Sequence, residues 1–351
     1  LVSGMEHHAN DLPHRLNSQQ TLFIPVIEAP NSHYGSLDLK RLEALLEKHQ
    51  NAINYLAINS TSNVTGITTP ISKVCALAHK YDAYVIVDAA QSAAHNGAEI
   101  ASKSVQQPDF WVFSGHKVYT PAAPGVLIAK KELMNALPLA DIGGGAVKSV
   151  STSDYELLEN PYREQAGTPN IVGVIALANT LKLLNNIGFS AISKHAKNIA
   201  KYALDQLLEI DQISVYGDTH LERTGAISFN IKGIDHGLLA VILSDYFGVA
   251  VRNSCFCAHP YVRSLLKREL WNLDLDGIPD DQQENYINRK RGMVRASFSL
   301  YTSLEDIDYF IKSLKEIVIN YKSLRNNYNV LPDGDYEHKT FKPDWREFYN
   351  P

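Results

Sequence analysis

Two short apolar runs, each ending in ionisable side chains, limit what this chain can fold into. Tyr84-Val85-Ile86-Val87-Asp88-Ala89-Ala90-Gln91 is followed, after a polar connection, by Asp109-Phe110-Trp111-Val112-Phe113-Ser114-Gly115-His116-Lys117. Runs rich in β-branched and aromatic residues and bounded by polar ones read as buried parallel strands. In open α/β sheets, chemistry gathers outside the carboxyl ends of the strands. The first strand is therefore expected to deliver Asp88 and Gln91, and the second Ser114, His116 and Lys117.

A carboxylate and a lysine brought side by side have two readings. One is an ion pair at a sheet edge, a common arrangement. The other is chemistry. A lysine that condenses with a carbonyl must lose its proton, and burial or nearby cations push it that way. A buried aspartate can keep a heteroaromatic ring nitrogen protonated through a charge-assisted hydrogen bond.

The surrounding residues favour the second reading. Val87-Asp88-Ala89-Ala90-Gln91 followed by Phe113-Ser114-Gly115-His116-Lys117 resembles the signature of class V aminotransferase-fold enzymes that use pyridoxal phosphate (PLP), and most closely the cysteine desulfurase and selenocysteine lyase group. The resemblance runs from about Met5 to about Leu324, with several separate motifs in the family's order. It implies an α/β fold of the aspartate aminotransferase-like PLP-dependent transferase type. It also implies that Lys117 carries the cofactor, that Asp88 holds the pyridinium nitrogen and that Gln91 bonds the ring hydroxyl. Ser114 and His116 would hold the phosphate.

Composition narrows the remaining choices. A chain of 351 residues has room for a sizeable core and two domains. A net charge of -5 argues against nucleic acid or an anionic membrane as the main partner. Three cysteines make no disulfide framework, so a reducing cytoplasm is the expected compartment. No apolar run approaches the roughly 20 residues that span a bilayer. The chain opens on Leu1, as though at the end of a strand, and reads as a fragment or a trimmed start. The family places a Gly-Thr-Thr phosphate cup upstream of the Glu6-His7-His8 segment, and none precedes Leu1.

Glu6-His7-His8-Ala9-Asn10 matches a family segment in which the first histidine stacks on the cofactor ring, so by resemblance His7 takes that place and is a catalytic candidate that can also shuttle protons. Without the resemblance it reads as a surface histidine. Asn54 to Ile58 reads as a strand ending in the polar loop Asn59-Ser60-Thr61-Ser62-Asn63. In the family an asparagine at the place of Asn63 touches ring and substrate; a turn-forming Asn before Gly66 is the plainer alternative. Leu37 to His49 and Pro70 to Tyr81 read as helices. After Lys117, Thr120 and Ala123 stand where the well-known desulfurases usually have glycine, a departure that can stiffen or reshape that loop.

Glu164-Gln165-Ala166-Gly167-Thr168-Pro169-Asn170 precedes a strongly apolar helix. In the family the matching threonine reaches across a dimer interface to the partner's cofactor phosphate. By resemblance Thr168 does so here, and the protein is a homodimer with composite sites. Read without the family, these residues are a helix cap or turn. The helix, Ile171 to Asn186, is apolar nearly all round and is expected to be buried. The expected domains are residues 1–172, a large PLP-binding domain on a mixed sheet, and 173–328, a linker helix plus a smaller α+β domain. Residues 329–351 read as a polar tail.

The loop Arg252-Asn253-Ser254-Cys255-Phe256-Cys257-Ala258-His259 follows a strand. Cys-x-Cys with no further cysteine nearby is poor spacing for zinc, and no metal is expected. In desulfurases an arginine, four residues and a cysteine mark the loop that carries the nucleophile; Arg252 and Cys257 have that spacing. A thiolate is the reactive form, and a nearby cation favours it. Cys257 is the candidate to take sulfur as a persulfide, and Cys255 is either structural or a relay. Residues 267–291 read as a charged insertion on the surface. Gly292-Met293-Val294-Arg295-Ala296-Ser297 matches the strand whose arginine clamps the substrate carboxylate, which gives that role to Arg295, with Arg252 and Asn63 as further substrate-binding residues.

The leading expectation is a PLP enzyme that removes sulfur from cysteine and passes it to a sulfur-acceptor protein. An aminotransferase, an epimerase, a β-lyase or an inactive PLP-fold subunit are the alternatives.

Overall fold

The computed structural model describes residues 1–29, 31–50, 52–96, 106–270, 273, 275 and 277–342. Asp274 and Asp276 of the charged insertion and residues 343–351 of the tail lie outside them.

The first half of the chain builds one six-stranded sheet. In chain order it contains β1 (Val2–Ser3), α1 (Leu12–Asn17), β2 (Phe23–Ile24), α2 (Leu39–Lys48), β3 (Tyr55–Asn59), α3 (Ile71–Lys80), β4 (Tyr84–Asp88), β5 (Phe110–Ser114), β6 (Gly125–Ala129) and α4 (Lys131–Ala136). The strands lie in the order β2-β1-β3-β4-β5-β6. All neighbours are parallel except β5 and β6. Crossover helices α1, α2 and α3 return the chain to the same edge between successive strands from β1 to β4. Local signals set the helix ends: the Asp38 carboxylate accepts the Arg41 N–H at the start of α2, and Pro70 stands just before α3.

Then follow the exposed hairpin β7 (Val147–Val150) and β8 (Tyr155–Leu157), and the helices α5 (Ile171–Ile187) and α6 (Phe189–Leu208). The second half adds β9 (Ile213–Val215), β10 (Ala226–Ile231), α7 (His236–Phe247), β11 (Arg252–Ser254), α8 (His259–Leu270), α9 (Asp280–Lys290), β12 (Met293–Ser297), α10 (Leu304–Arg325), β13 (Tyr328–Val330) and β14 (Tyr336–His338). Its antiparallel sheet has the order β11-β12-β10-β9. A Ser303–Asp306 capping box starts α10.

Each sheet has its own core. Leu56, Ile58, Val85 and Val87 anchor the first. Ile227, Phe229, Leu239 and Leu314 anchor the second. Each such buried side chain contributes about 1.5–3 kcal/mol. Phe256, Tyr261, Val262 and Leu266 follow β11 in sequence, yet they pack into the first core. The cysteine loop and α8 are thereby laid against the first sheet.

Residues 60–69 stitch the two sheets together. The Ser228 hydroxyl donates to the Val64 carbonyl, 2.5 Å, and the Thr224 N–H donates to the Gly66 carbonyl, 3.0 Å. Gly66 has φ +73°, and a Cβ there would lie 2.2 Å from the Ala226 carbonyl oxygen. Only glycine allows both the turn and the close approach. Arg223, 4% exposed, donates to the carbonyls of Thr65, Tyr216, Gly217 and Asp218.

Two expectations are corrected, for α5 and for the tail. Helix α5 is not buried: Ile171, Val172, Val174, Ile175 and Leu183 are exposed, and Gly173, Leu177 and Leu184 are its buried residues. Within the charged insertion, residues 280–290 form a helix. The start of the tail is an antiparallel hairpin whose Tyr328 and Tyr336 are buried in the second core. Polar composition hid that hairpin because its apolar content is concentrated in two tyrosines.

Candidate active site

Parallel pairing aligns the ends of three strands. Asn59 of β3 stands opposite Asp88 of β4, and Asp88 stands opposite Val112 of β5. The chain continues two residues further to Ser114, then turns through His116 and Lys117. A cavity of about 410 Å³ opens at this edge. Asp88, Gln91, Ser114, His116 and Lys117 all line it, as the sequence reading expected. His7 and Asn63 line it too.

Burial dominates the electrostatics. It pushes the Asp88 carboxyl above the usual carboxylate range, opposed by the Ala90 N–H, 2.8 Å from Oδ1, and by the Lys117 charge. Burial also pulls the His7 imidazole below its ordinary value; Lys117 adds to that, and Asp88 opposes it. The three groups therefore feel one another across the cavity. The Nδ1 of His7 accepts the Ala9 N–H, 3.1 Å, which fixes the ring on its turn. Just behind it the fully buried Glu6 accepts from the Ser3 hydroxyl, from Asn10 Nδ2 at 2.6 Å and from the Asn59 N–H at 2.8 Å.

The cysteine loop closes one side. The His8 N–H donates to the Cys257 carbonyl, 2.7 Å. Asn63 Nδ2 donates to the Phe256 carbonyl, 2.8 Å. Arg295 of β12 donates from Nη1 to the Asn63 carbonyl, 2.7 Å, and its guanidinium lies 5.1 Å from the Phe256 ring centroid. Cys257 itself is exposed. Ser254, Phe256 and Cys257 have φ of 85°, 52° and 53°. Non-glycine residues in that region cost about 1–3 kcal/mol each, and such strain clusters at functional loops.

Not every expected residue reaches the cavity. Arg295 and Cys257 adjoin its wall through Asn63 and His8 without lining it. Arg252 is exposed on β11 opposite Arg295. Thr168 lies exposed in the segment before α5. Thr120 ties the loop after Lys117 to α5 through its hydroxyl, 2.9 Å from Thr180 Oγ1. Asn10, Asn59 and Thr61 line the cavity but were not singled out. The signal for Asn59 and Thr61 was the polar run that begins at Asn59, from which only Asn63 was selected, and for Asn10 the segment from Glu6, from which only His7 was.

The lining suits a pyridine phosphate. Asn59 Oδ1 and Thr61 Oγ1 are buried and without a hydrogen-bond partner among the described residues. Asp88 bears a desolvation cost that a cationic ring nitrogen would offset. Ser114 and His116 bring a hydroxyl and an imidazole to the same wall, both suited to an anionic phosphate.

The comparisons with known proteins agree. The family model for aminotransferase class V matches residues 1–310. The chain is 33% identical over 319 residues to the cysteine desulfurase of Dickeya dadantii, covering 90% of this chain and 69% of that protein. It is 31% identical to the cysteine desulfurase of Pectobacterium carotovorum, covering 90% and 70%. Among solved structures, the cysteine desulfurase CsdA from Escherichia coli matches with TM-score 0.75 and 28% identity, over 91% of this chain and 71% of that one. The cysteine desulfurase of Thermococcus onnurineus matches with TM-score 0.75 and 31% identity, over 91% and 72%.

Proposed function

The chain belongs to the class V aminotransferase family, and from that premise we propose that it is a PLP-dependent cysteine desulfurase that leaves alanine and a persulfide on Cys257. One observation carries the reading: Asp88 and Lys117 share a single cavity, and the loop bearing Cys257 is hydrogen-bonded to two segments of its wall.

When bound, PLP supplies an electron sink for the carbon skeleton of an amino acid. In this reading Asp88 holds the ring nitrogen, Gln91 the ring hydroxyl, and Ser114 and His116 the phosphate. His7 covers one face of the ring, and Asn63 borders ring and substrate. Arg295 binds the substrate carboxylate through its planar fork. Lys117 Nζ takes the α-proton. The Cys257 thiolate attacks the substrate sulfur; the S–S bond forms as the Cβ–S bond breaks, its electron pair stays on Cβ and takes a proton there, and alanine leaves once Lys117 has returned the α-proton. Arg252, beside Arg295 on the sheet, offers the substrate a second guanidinium.

A homodimer belongs to the same reading. Helix α5 leaves Ile171, Val172, Val174, Ile175 and Leu183 exposed, a face that a second copy would cover, and Thr168, directly before it, would complete the partner's phosphate site. A protein thiol would take the sulfur from Cys257. We divide the chain at residue 172, with a small domain through 328 and a tail beyond, while Leu177, Leu184 and Ile192 pack back into the first core and Tyr336 into the second. The three free cysteines fit the cytoplasm. No single helix among the described residues is long and apolar enough to cross a membrane.

The test is to incubate the PLP-loaded protein with cysteine and measure alanine and sulfide. Cys257→Ala should keep the visible absorbance of the cofactor and lose desulfuration. Keto-acid formation in place of alanine would turn the reading to transamination. Full desulfuration by Cys257→Ala would remove the thiol from the mechanism. Light-scattering mass in solution tests the dimer.

A further inference from the structure

A second cavity, of about 390 Å³, lies on the other side of the cysteine loop and plays no part in the chemistry proposed above. Asn253, Ser254 and Cys255 form one wall. Arg263 of α8 and Arg289 and Arg291, at the end of α9, bring three guanidiniums to it. His236 and Gly237 add the first turn of the twelve-residue helix α7, whose N-cap residue makes no side-chain cap.

The charges here are not arranged to satisfy one another. The neighbouring Lys290 is ion-paired with Asp235, and Tyr336 donates to the same carboxylate, 2.6 Å. None of the three guanidiniums has an ion pair among the described residues. Arg289 Nε is shielded from solvent with no hydrogen-bond partner among them. Asp333 and Asp335 also reach the cavity, but from an exposed turn where water screens them. Guanidinium forks and the N–H groups of a helix start are both suited to oxyanions.

We propose that this cavity is a binding site for a small oxyanion, a phosphate or a carboxylate. The ligand bridges α7, α8 and the end of α9, and it bears on the strand β11 that leads directly into Cys255 and Cys257. Occupancy therefore braces the loop on the side away from the cavity that holds Lys117.

The proposal is tested on PLP-loaded protein, so that the cofactor's own phosphate site is filled. Inorganic phosphate and citrate are titrated separately, at ionic strength held constant with sodium chloride, while the melting temperature is recorded. A saturable rise of about 3 °C is expected at roughly hundredfold excess over the dissociation constant. The rise should be reduced in Arg263→Gln, an exposed position that leaves the fold undisturbed, and lost in Arg263→Gln/Arg291→Gln. Phosphate alone or citrate alone giving the rise identifies the better source of the oxyanion. A rise that matches the chloride control, or one that survives in the double variant, overturns the assignment. Neither result bears on whether the protein desulfurates cysteine.

Discussion

Arg295 and Asn63, 232 positions apart, are joined by a 2.7 Å hydrogen bond from the guanidinium to the backbone carbonyl. The same asparagine holds the Phe256 carbonyl through its side chain. The residue proposed to bind substrate and the loop proposed to carry the nucleophile thus hang from one position on the cavity wall.

Replacing Arg295 by lysine should damage substrate recognition more than cofactor binding. Lysine keeps the charge but loses the fork, so it cannot hold Asn63 and a carboxylate together. Loss of about 1.5–3 kcal/mol predicts a fall of roughly ten- to a hundredfold in kcat/KM for cysteine. The visible spectrum of bound PLP should be unchanged. Steady-state kinetics beside an absorbance titration checks both halves. Equal losses in both would place Arg295 in the cofactor site instead.

Gly66→Ala and Gly248→Ala separate backbone strain from collision. Both glycines have positive φ, +73° and +62°. Gly248 is the left-handed C-cap of α7 and a Cβ there meets nothing within 4 Å, so alanine should cost only about 1 kcal/mol of strain. At Gly66 the Cβ would press on the Ala226 carbonyl and part the two sheets. The expected cost is about 3 kcal/mol or more, read as the difference in urea midpoints. Similar midpoints for the two variants would contradict the stitching role of residues 60–69.

Glu6 predicts a pH dependence of stability. Burial outweighs its three donors and its carboxyl is pushed up to about 8, from 4.5 in an unfolded chain. A raised acid pKa means that folding favours the protonated form. The associated stability is complete below about 4.5 and is lost as pH rises through 8. The melting temperature of the native protein should fall from about pH 4.5 to about pH 8 and level off above it, and Glu6→Gln should flatten that fall. A parallel decline in the variant would assign the dependence to other groups.

The legible parts were those governed by neighbours in sequence. β4 and β5 read correctly because buried parallel strands are continuous apolar runs, and the residues at their ends landed in one cavity. Asp88, Gln91, Ser114, His116 and Lys117 needed no long-range information. Arg223 gave no local sign: a lone arginine becomes a four-carbonyl staple only when a loop some 160 residues earlier folds around it. Helix α5 misled because an apolar surface reads the same whether core or another surface covers it. Tyr328 and Tyr336 were hidden in a polar stretch, since two buried side chains are enough to fix a short hairpin.

The two loop cysteines should differ in reactivity. Cys257 is exposed, and its backbone is held by His8. Cys255 is half-buried, and its thiol donates to the Arg291 carbonyl, 3.0 Å. Burial pushes the Cys255 thiol up, only partly opposed by a contact with Ser254 and the charges of Arg263 and Arg291. A thiol that is both shielded and less ionised reacts slowly with an alkylating agent. Limited iodoacetamide treatment followed by peptide mass mapping should therefore label Cys257 first, and activity should fall in step with that label alone. Cys255→Ser should retain most of the turnover, because its hydroxyl can keep the bond to Arg291. A large loss in that variant, with the Cys257 label unaffected, would make Cys255 an obligate relay for the sulfur rather than part of the wall.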